Sequence, residues 1–184
     1  MTSPLIALAP DDLLFAYRWN ADTLTRLADD IDDARFADQP VPHINHPAWL
    51  IGHVSAYNDV VLALLTGQPF DNPWTLPCGK DRPPVADRSA YPSKPELIQR
   101  FTTGVDTAVD AIASAEPAAW SAPVEHATWG KQFARVASAV SFLTSAHLAY
   151  HTGQLSSWRR AAGMPRGITA VPPAPPSKQA DGLP

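Results

Sequence analysis

Cysteine, basic charge and long apolar runs are all scarce in this chain of 184 residues, and each shortage excludes a class of protein. Cys78 is the only cysteine, so the chain can form neither an internal disulfide nor a thiolate-rich zinc site. It has 14 lysines and arginines against 18 aspartates and glutamates, which leaves no basic excess to neutralise the phosphates of a nucleic acid. No apolar run approaches the roughly 18 residues of a membrane span. We therefore expect neither a nucleic-acid partner nor a membrane.

The first residues also lack the features of a signal peptide. No lysine or arginine precedes Arg18, whereas the acidic Asp11 and Asp12 come earlier. A chain of this length is expected to fold as one domain with a sizeable core. Together these features predict a cytoplasmic globular protein.

Proline, in contrast, is abundant, and it separates four stretches in which apolar residues recur with the period of a helix. We expect the second stretch to open at residues 45–47 with an N-cap residue and an early proline. Ser93 and Glu96 predict a capping box at the start of the third. The four predicted helices run from about Asp11 to Arg35, from Pro47 to just before Gly67, from Ser93 to Glu116, and from about Phe133 to Ala162.

The longest connection covers residues 67–92 and has no sustained period, which is unusual inside a compact domain. It is long enough to cross a helical bundle and to join a second and a third helix that run in the same direction. We expect an all-α four-helix domain over residues 1–164, with a second irregular connection over 117–132. The Pro-rich tail, residues 165–184, is expected to be extended or disordered.

Three histidines on predicted buried helix faces are the main candidates for a functional site. His147 and His151 are four residues apart, so they lie on one face of the last helix and can bind one ion together. His53 faces inward on the second helix. Three imidazoles around one ion leave a tetrahedral position open, which is typical of a catalytic metal site.

Each histidine alone has a simpler interpretation, as a hydrogen-bonded residue of the core. Burying three imidazoles without a metal leaves nitrogens to be satisfied, at a cost of about 1–3 kcal/mol each, so the set favours a metal site. The zinc-protease pattern His-Glu-x-x-His is absent, because Leu148 and Ala149 follow His147. Asp59 is near in sequence, but its helical angle from His53 places it off the inner face. A metal that activates a substrate thiol or water directly would need no such carboxylate.

Several neighbours of these histidines have two interpretations. Gln154 extends the stripe of His147, either as a hydrogen-bond partner of a metal ligand or as a polar residue near the end of the bundle. Tyr57 follows His53 by one turn and either presents its hydroxyl to the pocket or fills the core. The predicted apolar cleft is lined by Trp19, Trp49, Tyr57 and Trp158.

The remaining candidates are expected to stand apart from the site. His46 lies two turns before His53, roughly 10 Å along the helix axis, which is too far to share one ion. His43 and His126 fall in loops and are expected to face solvent. Cys78 has no assured basic partner, so we expect an ordinary thiol.

Three short motifs carry a resemblance to a known family: Trp49-Leu50-Ile51-Gly52-His53, Thr128-Trp129-Gly130 and His147-x-x-Tyr150-His151-x-Gly153-Gln154-Leu155. They resemble the DinB-like superfamily, which includes metal-dependent hydrolases of the YfiT type. The resemblance covers the chain from about residue 11 to 163.

The resemblance implies a four-helix bundle with up-down-down-up connectivity, which suits the long crossover. It also implies that His53, His147 and His151 bind nickel, zinc or a similar divalent ion. Characterised branches of the superfamily use low-molecular-weight thiols as cosubstrates, in S-transferases and a maleylpyruvate isomerase. This chain has Thr152 where arginine is frequent, so a cation that would hold an anionic thiol is missing at that position.

Two classes of function remain open from the sequence. The first is a metal-dependent enzyme that acts on a small molecule by thiol transfer or hydrolysis, with a homodimer among its expected assemblies. The second is a non-catalytic helical bundle that binds a metal or another ligand. A protein side chain in the fourth metal position would favour a structural role, and an exchangeable water would favour catalysis.

Overall fold

Helix is the only regular secondary structure in the described part of the computed structural model, which comprises residues 10–73, 77–165 and 167. The predicted all-α class is therefore confirmed. The prediction for the Pro-rich tail falls almost entirely outside the described residues.

The helices follow the predicted order, with additional short elements between them. The long helices are α1 (Pro10–Asp29), α2 (Pro47–Thr66) and α3 (Lys94–Ser114), followed by the short α4 (Pro117–Ser121). The final helix is continuous but has three parts: α5 (Val136–Ser141), a π-helical segment (Phe142–His147) and α6 (Leu148–Ala161). Single 3₁₀ turns lie at Asp33–Arg35, Arg88–Ala90 and Trp129–Lys131.

Local chemistry sets the ends of α2 and α3. The N-cap of α2 is His46, whose Nδ1 accepts a hydrogen bond from the backbone N–H of Trp49 at 3.2 Å. Gly67 ends this helix in the left-handed conformation, at φ 67°, which glycine adopts without steric cost. At the start of α3, the Glu96 carboxylate accepts from the backbone N–H of Ser93 at 2.8 Å, as the capping box requires.

Two predictions about helix extent are wrong. The first helix ends at Asp29, not Arg35, and distant side chains satisfy carbonyl groups of its last turn. Arg159 donates to Leu27 O at 2.7 Å, and Lys94 donates to Asp29 O at 2.6 Å. The connection 117–132 is not wholly irregular, since it contains α4 and the turn at Trp129–Lys131.

The core is centred on α2, of whose 20 residues 16 are buried. Its length and composition would suffice for a membrane span, but 83% of the relevant window is buried within the protein, as in the core helix of a soluble protein. α2 packs against α3 and against the final helix, and α1 also packs against both of these. This arrangement places the inner face of α2 opposite the final helix.

Three contacts show which residues of neighbouring segments lie side by side. A Cβ on Gly52 would lie 3.7 Å from Leu97, and a Cβ on Gly104 would lie 2.9 Å from Asn58. On the other side of α2, Asn45 donates a hydrogen bond to Gln154 at 3.1 Å.

Candidate metal centre

The three histidines predicted from the sequence converge on one point between α2 and the final helix. Nε2 of His147 lies 3.3 Å from Nε2 of His53 and 3.2 Å from Nε2 of His151. One ligand atom from each residue lies within 4.8 Å of the others. The cluster could therefore hold one metal ion.

Each histidine is held by a different part of the helical framework. His53 lies in the middle of α2, whereas His147 ends the π-helical segment and His151 lies in the first turn of α6. A π-helical turn is wider than an α-helical one, and such turns often occur at functional sites. The π-helical segment sets the angle about the helix axis between His147 and the residues of α5. His147 and His151 remain one helical turn apart.

The outer nitrogens of two histidines are committed to oxygen acceptors. His53 Nδ1 lies 2.6 Å from the carbonyl oxygen of Cys78, and His151 Nδ1 lies 3.1 Å from Oε1 of Gln154. The same Oε1 accepts a hydrogen bond from Asn45 Nδ2 at 3.1 Å. A carbonyl oxygen cannot donate, so both Nδ1 atoms carry the proton and both Nε2 atoms present lone pairs to the centre.

The close approach of the three Nε2 atoms is unfavourable unless they share a cation. A single N–H on His147 can point at only one of the other two Nε2 atoms, so at least one pair of lone pairs faces each other at close range. Burial lowers the pKa of His53 and of His151 to about 4. Burial, together with its two neighbouring histidines, lowers the pKa of His147 to about 2. All three imidazoles are thus neutral near pH 7, the form that binds a metal ion.

Aromatic rings hold the imidazoles in position. The Trp49 ring stacks on His53, with centroids 4.6 Å apart and planes 12° from parallel. Tyr57 lies with its ring centroid 4.9 Å from that of His53 and 4.3 Å from that of His147. Both residues were expected near the site and both are buried there.

The crossover reaches the site because one glycine allows a close approach. A Cβ on Gly52 would lie 2.6 Å from the Cys78 sulfur, so a side chain at that position would require the Cys78 side chain or its segment to shift. The approach places the Cys78 carbonyl against His53. The Cys78 thiol itself is half-buried, and burial raises its pKa, in keeping with the expected ordinary thiol.

The three histidines open onto a cavity of about 650 Å³, which is large enough for a small organic molecule. Trp49 and Tyr57 line it as expected. Trp19 and Trp158 are not among its described lining residues, and Trp158 instead lies in the core with its indole N–H bonded to Asp38 O. The other lining residues are Asn45, Lys80, Trp129, Gln132, Phe133, Phe142, Ala146, Tyr150 and Gln154.

Several further candidates lie outside the centre. His46 is a helix cap, His43 is exposed, and Asp59 is exposed beside Arg100, all in agreement with the separation expected from the sequence. His126 was expected to face solvent, but it is only partly exposed. Its ring stacks on that of Phe70 at 4.7 Å, and its Nδ1 accepts from two backbone N–H groups at the start of the Trp129–Lys131 turn.

Sequence reasoning missed those site residues that come from irregular segments. The Cys78 carbonyl bonds to His53, Asn45 bonds to Gln154, and Lys80 lines the cavity, and none of these placements has a periodic signal in the sequence. Thr152 is buried and its hydroxyl donates to Leu148 O at 2.8 Å, so the hydroxyl is bonded within its own helix. Trp129 lies against the cavity, and its indole N–H has no hydrogen-bond partner among the described residues.

Comparison with known families identifies the family of the chain. The family model of the DinB superfamily matches residues 16–155, and the chain belongs to this superfamily. The match includes all three histidines and Gln154. A search of curated proteins finds no match.

Proposed function

We propose that this protein is a metal-dependent enzyme that acts on a small molecule, by thiol transfer or by hydrolysis, at the centre formed by His53, His147 and His151. The observation that carries the proposal is the convergence of three neutral imidazoles whose Nε2 atoms face one point. An all-imidazole donor set suits several transition-metal ions, and among them we propose zinc or nickel, the ions that the resemblance to the superfamily implies.

The residues of the chain have distinct roles in this proposal. A divalent ion at the centre supplies positive charge that lowers the pKa of a bound water or thiol. Gln154 and Asn45 fix the ring of His151, and the Cys78 carbonyl fixes that of His53. No carboxylate lines the cavity among the described residues, so the chain contributes no acidic general base there.

A low-molecular-weight thiol as cosubstrate belongs to the same proposal and is supported by membership of the superfamily. The cavity has room for a second molecule beside the three histidines. The alternative is a non-catalytic bundle in which the metal or a stored ligand stabilises the fold. The indole N–H of Trp129, which has no hydrogen-bond partner among the described residues, does not distinguish the two functions.

The finer topology is also proposed: a four-helix bundle with up-down-down-up connectivity over residues 1–164. Pairing of 52 with 97 and of 58 with 104 advances in the same sense along both helices, which favours α2 and α3 running in parallel. Pairing of 45 with 154 and of 53 with 147 advances in opposite senses, which favours an antiparallel final helix. The crossover of residues 67–92 would then join the two parallel helices.

We further propose a cytoplasmic protein that functions as a homodimer without nucleic acid or membrane. The net charge of −4 supports the absence of nucleic acid. Light scattering of the purified full chain measures the assembly directly, and a monomer at all concentrations would reject the dimer.

The first prediction concerns the metal. Protein purified without a His tag should contain about one divalent ion per chain, and a His147→Ala, His151→Ala double variant should lose it. Elemental analysis measures both. His43→Ala is the matched control, because His43 is exposed and outside the centre. Full retention of the ion by the double variant would reject the assignment.

The reaction class is tested by a screen of metal-loaded protein. Glutathione, mycothiol and bacillithiol are each offered with small electrophiles, and a panel of hydrolase substrates is run in parallel. We expect turnover that depends on both the ion and His151. An ion that binds without any such turnover would favour the non-catalytic alternative.

A further inference from the structure

The charge on the described side chains that line the cavity beside the three histidines is positive, with no negative charge among them. Among its described lining residues, Lys80 is the only lysine or arginine, and there is no aspartate or glutamate. The residues of the crossover that the structure does not describe, 74–76, carry no charge either. Three neutral imidazoles leave the charge of a bound divalent ion uncompensated. The cavity therefore favours a ligand that brings negative charge.

The same cavity has aromatic walls. Trp49 and Tyr57 are packed against the histidines, whereas Phe142 and Tyr150 are exposed, at 43% and 65% respectively. The rings of Trp129 and Phe133 form a further contact between them, with centroids 5.9 Å apart. Exposed aromatic side chains around a cavity are suited to contact with a flat apolar molecule.

The backbone around Lys80 is attached to the site on both sides. His53 bonds to the carbonyl of Cys78 at 2.6 Å, and the indole N–H of Trp49 donates to the carbonyl of Arg82 at 3.0 Å. Within this segment, the N–H of Arg82 donates to Gly79 O at 2.9 Å and closes a turn. Lys80 thus lies in a tight turn whose two flanks are held by side chains of the site itself.

We propose that Lys80 selects the ligand of this cavity by binding the anionic group of a small aromatic molecule, a carboxylate or its equivalent. This inference rests on the proposed function, because it places the ligand beside the metal centre. Lys80 would supply the positive charge that the other described lining residues do not. It would act as a specificity residue, while the aromatic walls hold the body of the ligand.

The test uses the full chain loaded with cobalt(II) and three probes, 2-, 3- and 4-mercaptobenzoate, each paired with its neutral mercaptobenzamide. The wild-type protein should bind at least one benzoate about tenfold more tightly than its amide, because a charge-assisted hydrogen bond is lost with the amide. Lys80→Met should remove this preference and leave affinity for the amide within about twofold. Lys80→Arg should retain the preference.

Lys131→Met is the matched control, because Lys131 is an exposed lysine that does not line the cavity. It removes the same charge and should keep the wild-type preference. Tryptophan fluorescence measures the affinities with or without metal, whereas the cobalt absorption spectrum reports separately on the metal centre. If a bound probe leaves the cobalt spectrum unchanged, it does not reach the metal centre. That result would count against the proposed function and not against the role of Lys80. A preference that survives in Lys80→Met, or one that the wild type never shows, would overturn the role of Lys80.

Discussion

At the scale of single residues, the hydrogen bonds of Gln154 indicate its role at the site. Its Oε1 bonds to the ring of His151 and to Asn45, so it links the final helix to the residue just before the cap of α2. Such partners orient a histidine ligand and select its tautomer. The sequence offered two interpretations of Gln154, and the structure shows the bond to His151 that the first requires, while its action on a metal stays a prediction.

Replacing this residue tests that role. Gln154→Leu should weaken the binding of a divalent ion about 10- to 100-fold, because the His151 ring loses the acceptor that orients it. Competition with a coloured chelator measures the affinity. Gln99→Leu on the exposed surface of α3 is the control and should leave the affinity unchanged. Equal affinity in both variants would show that Gln154 does not act on the metal centre.

At the scale of elements, the N-cap of α2 is a titratable histidine, so we expect the stability of the start of this helix to depend on pH. His46 Nδ1 accepts from the N–H of Trp49, and its Nε2 lies 3.0 Å from the carbonyl oxygen of Val85. Both bonds are satisfied by the neutral ring with the proton on Nε2. Burial lowers the pKa of His46, and nearby Arg88 lowers it further, although the Val85 carbonyl and Asp38 oppose this.

The sign of the pH effect follows from the lowered pKa. The unfolded chain binds a proton at His46 near pH 6.5, whereas the folded chain does so only at lower pH. Its contribution is therefore complete above about pH 6.5 and is lost as the pH falls towards the folded pKa. His46→Asn retains a capping acceptor without a titrating ring, so its free energy of unfolding should fall less over this range.

Urea denaturation of wild type and His46→Asn at several pH values measures this difference. The three site histidines also have lowered pKa values, but they are present in both proteins and cancel in the comparison. His43→Asn is the control, since His43 is exposed. Parallel curves for wild type and His46→Asn would contradict the capping role.

At the scale of the whole molecule, two buried tryptophans differ in how they join distant parts of the chain. The indole N–H of Trp158 donates to Asp38 O at 2.7 Å and so connects the final helix to the loop after α1. Trp129 is 3% exposed, and its N–H has no partner among the described residues. Trp158→Phe should therefore lower the free energy of unfolding by about 1 kcal/mol more than Trp129→Phe.

Chemical denaturation of the two variants tests this comparison. Both substitutions remove the same atoms from sites of nearly equal burial, so each serves as the control for the other. If Trp129→Phe is the more destabilising of the two, the bond from Trp158 contributes less than the packing of Trp129 against the cavity.

What the sequence by itself determined is mostly local. Pro47, Gly67, Ser93 and Glu96 mark helix ends because caps and left-handed turns depend on residues within one turn of each other. The pairing of His147 with His151 is equally local, since helical geometry places residues four apart on one face. The inward direction of His53 followed from the apolar residues around it.

Only the tertiary structure decided what surrounds the three histidines. The Cys78 carbonyl is 25 residues from His53 in sequence, and Asn45 is 109 residues from Gln154. These partners, like Lys80, lie outside the helices, where no period relates a residue to its direction. The direction of such residues is set by the packing of α2 against the rest of the chain, and sequence spacing carries no information about that packing.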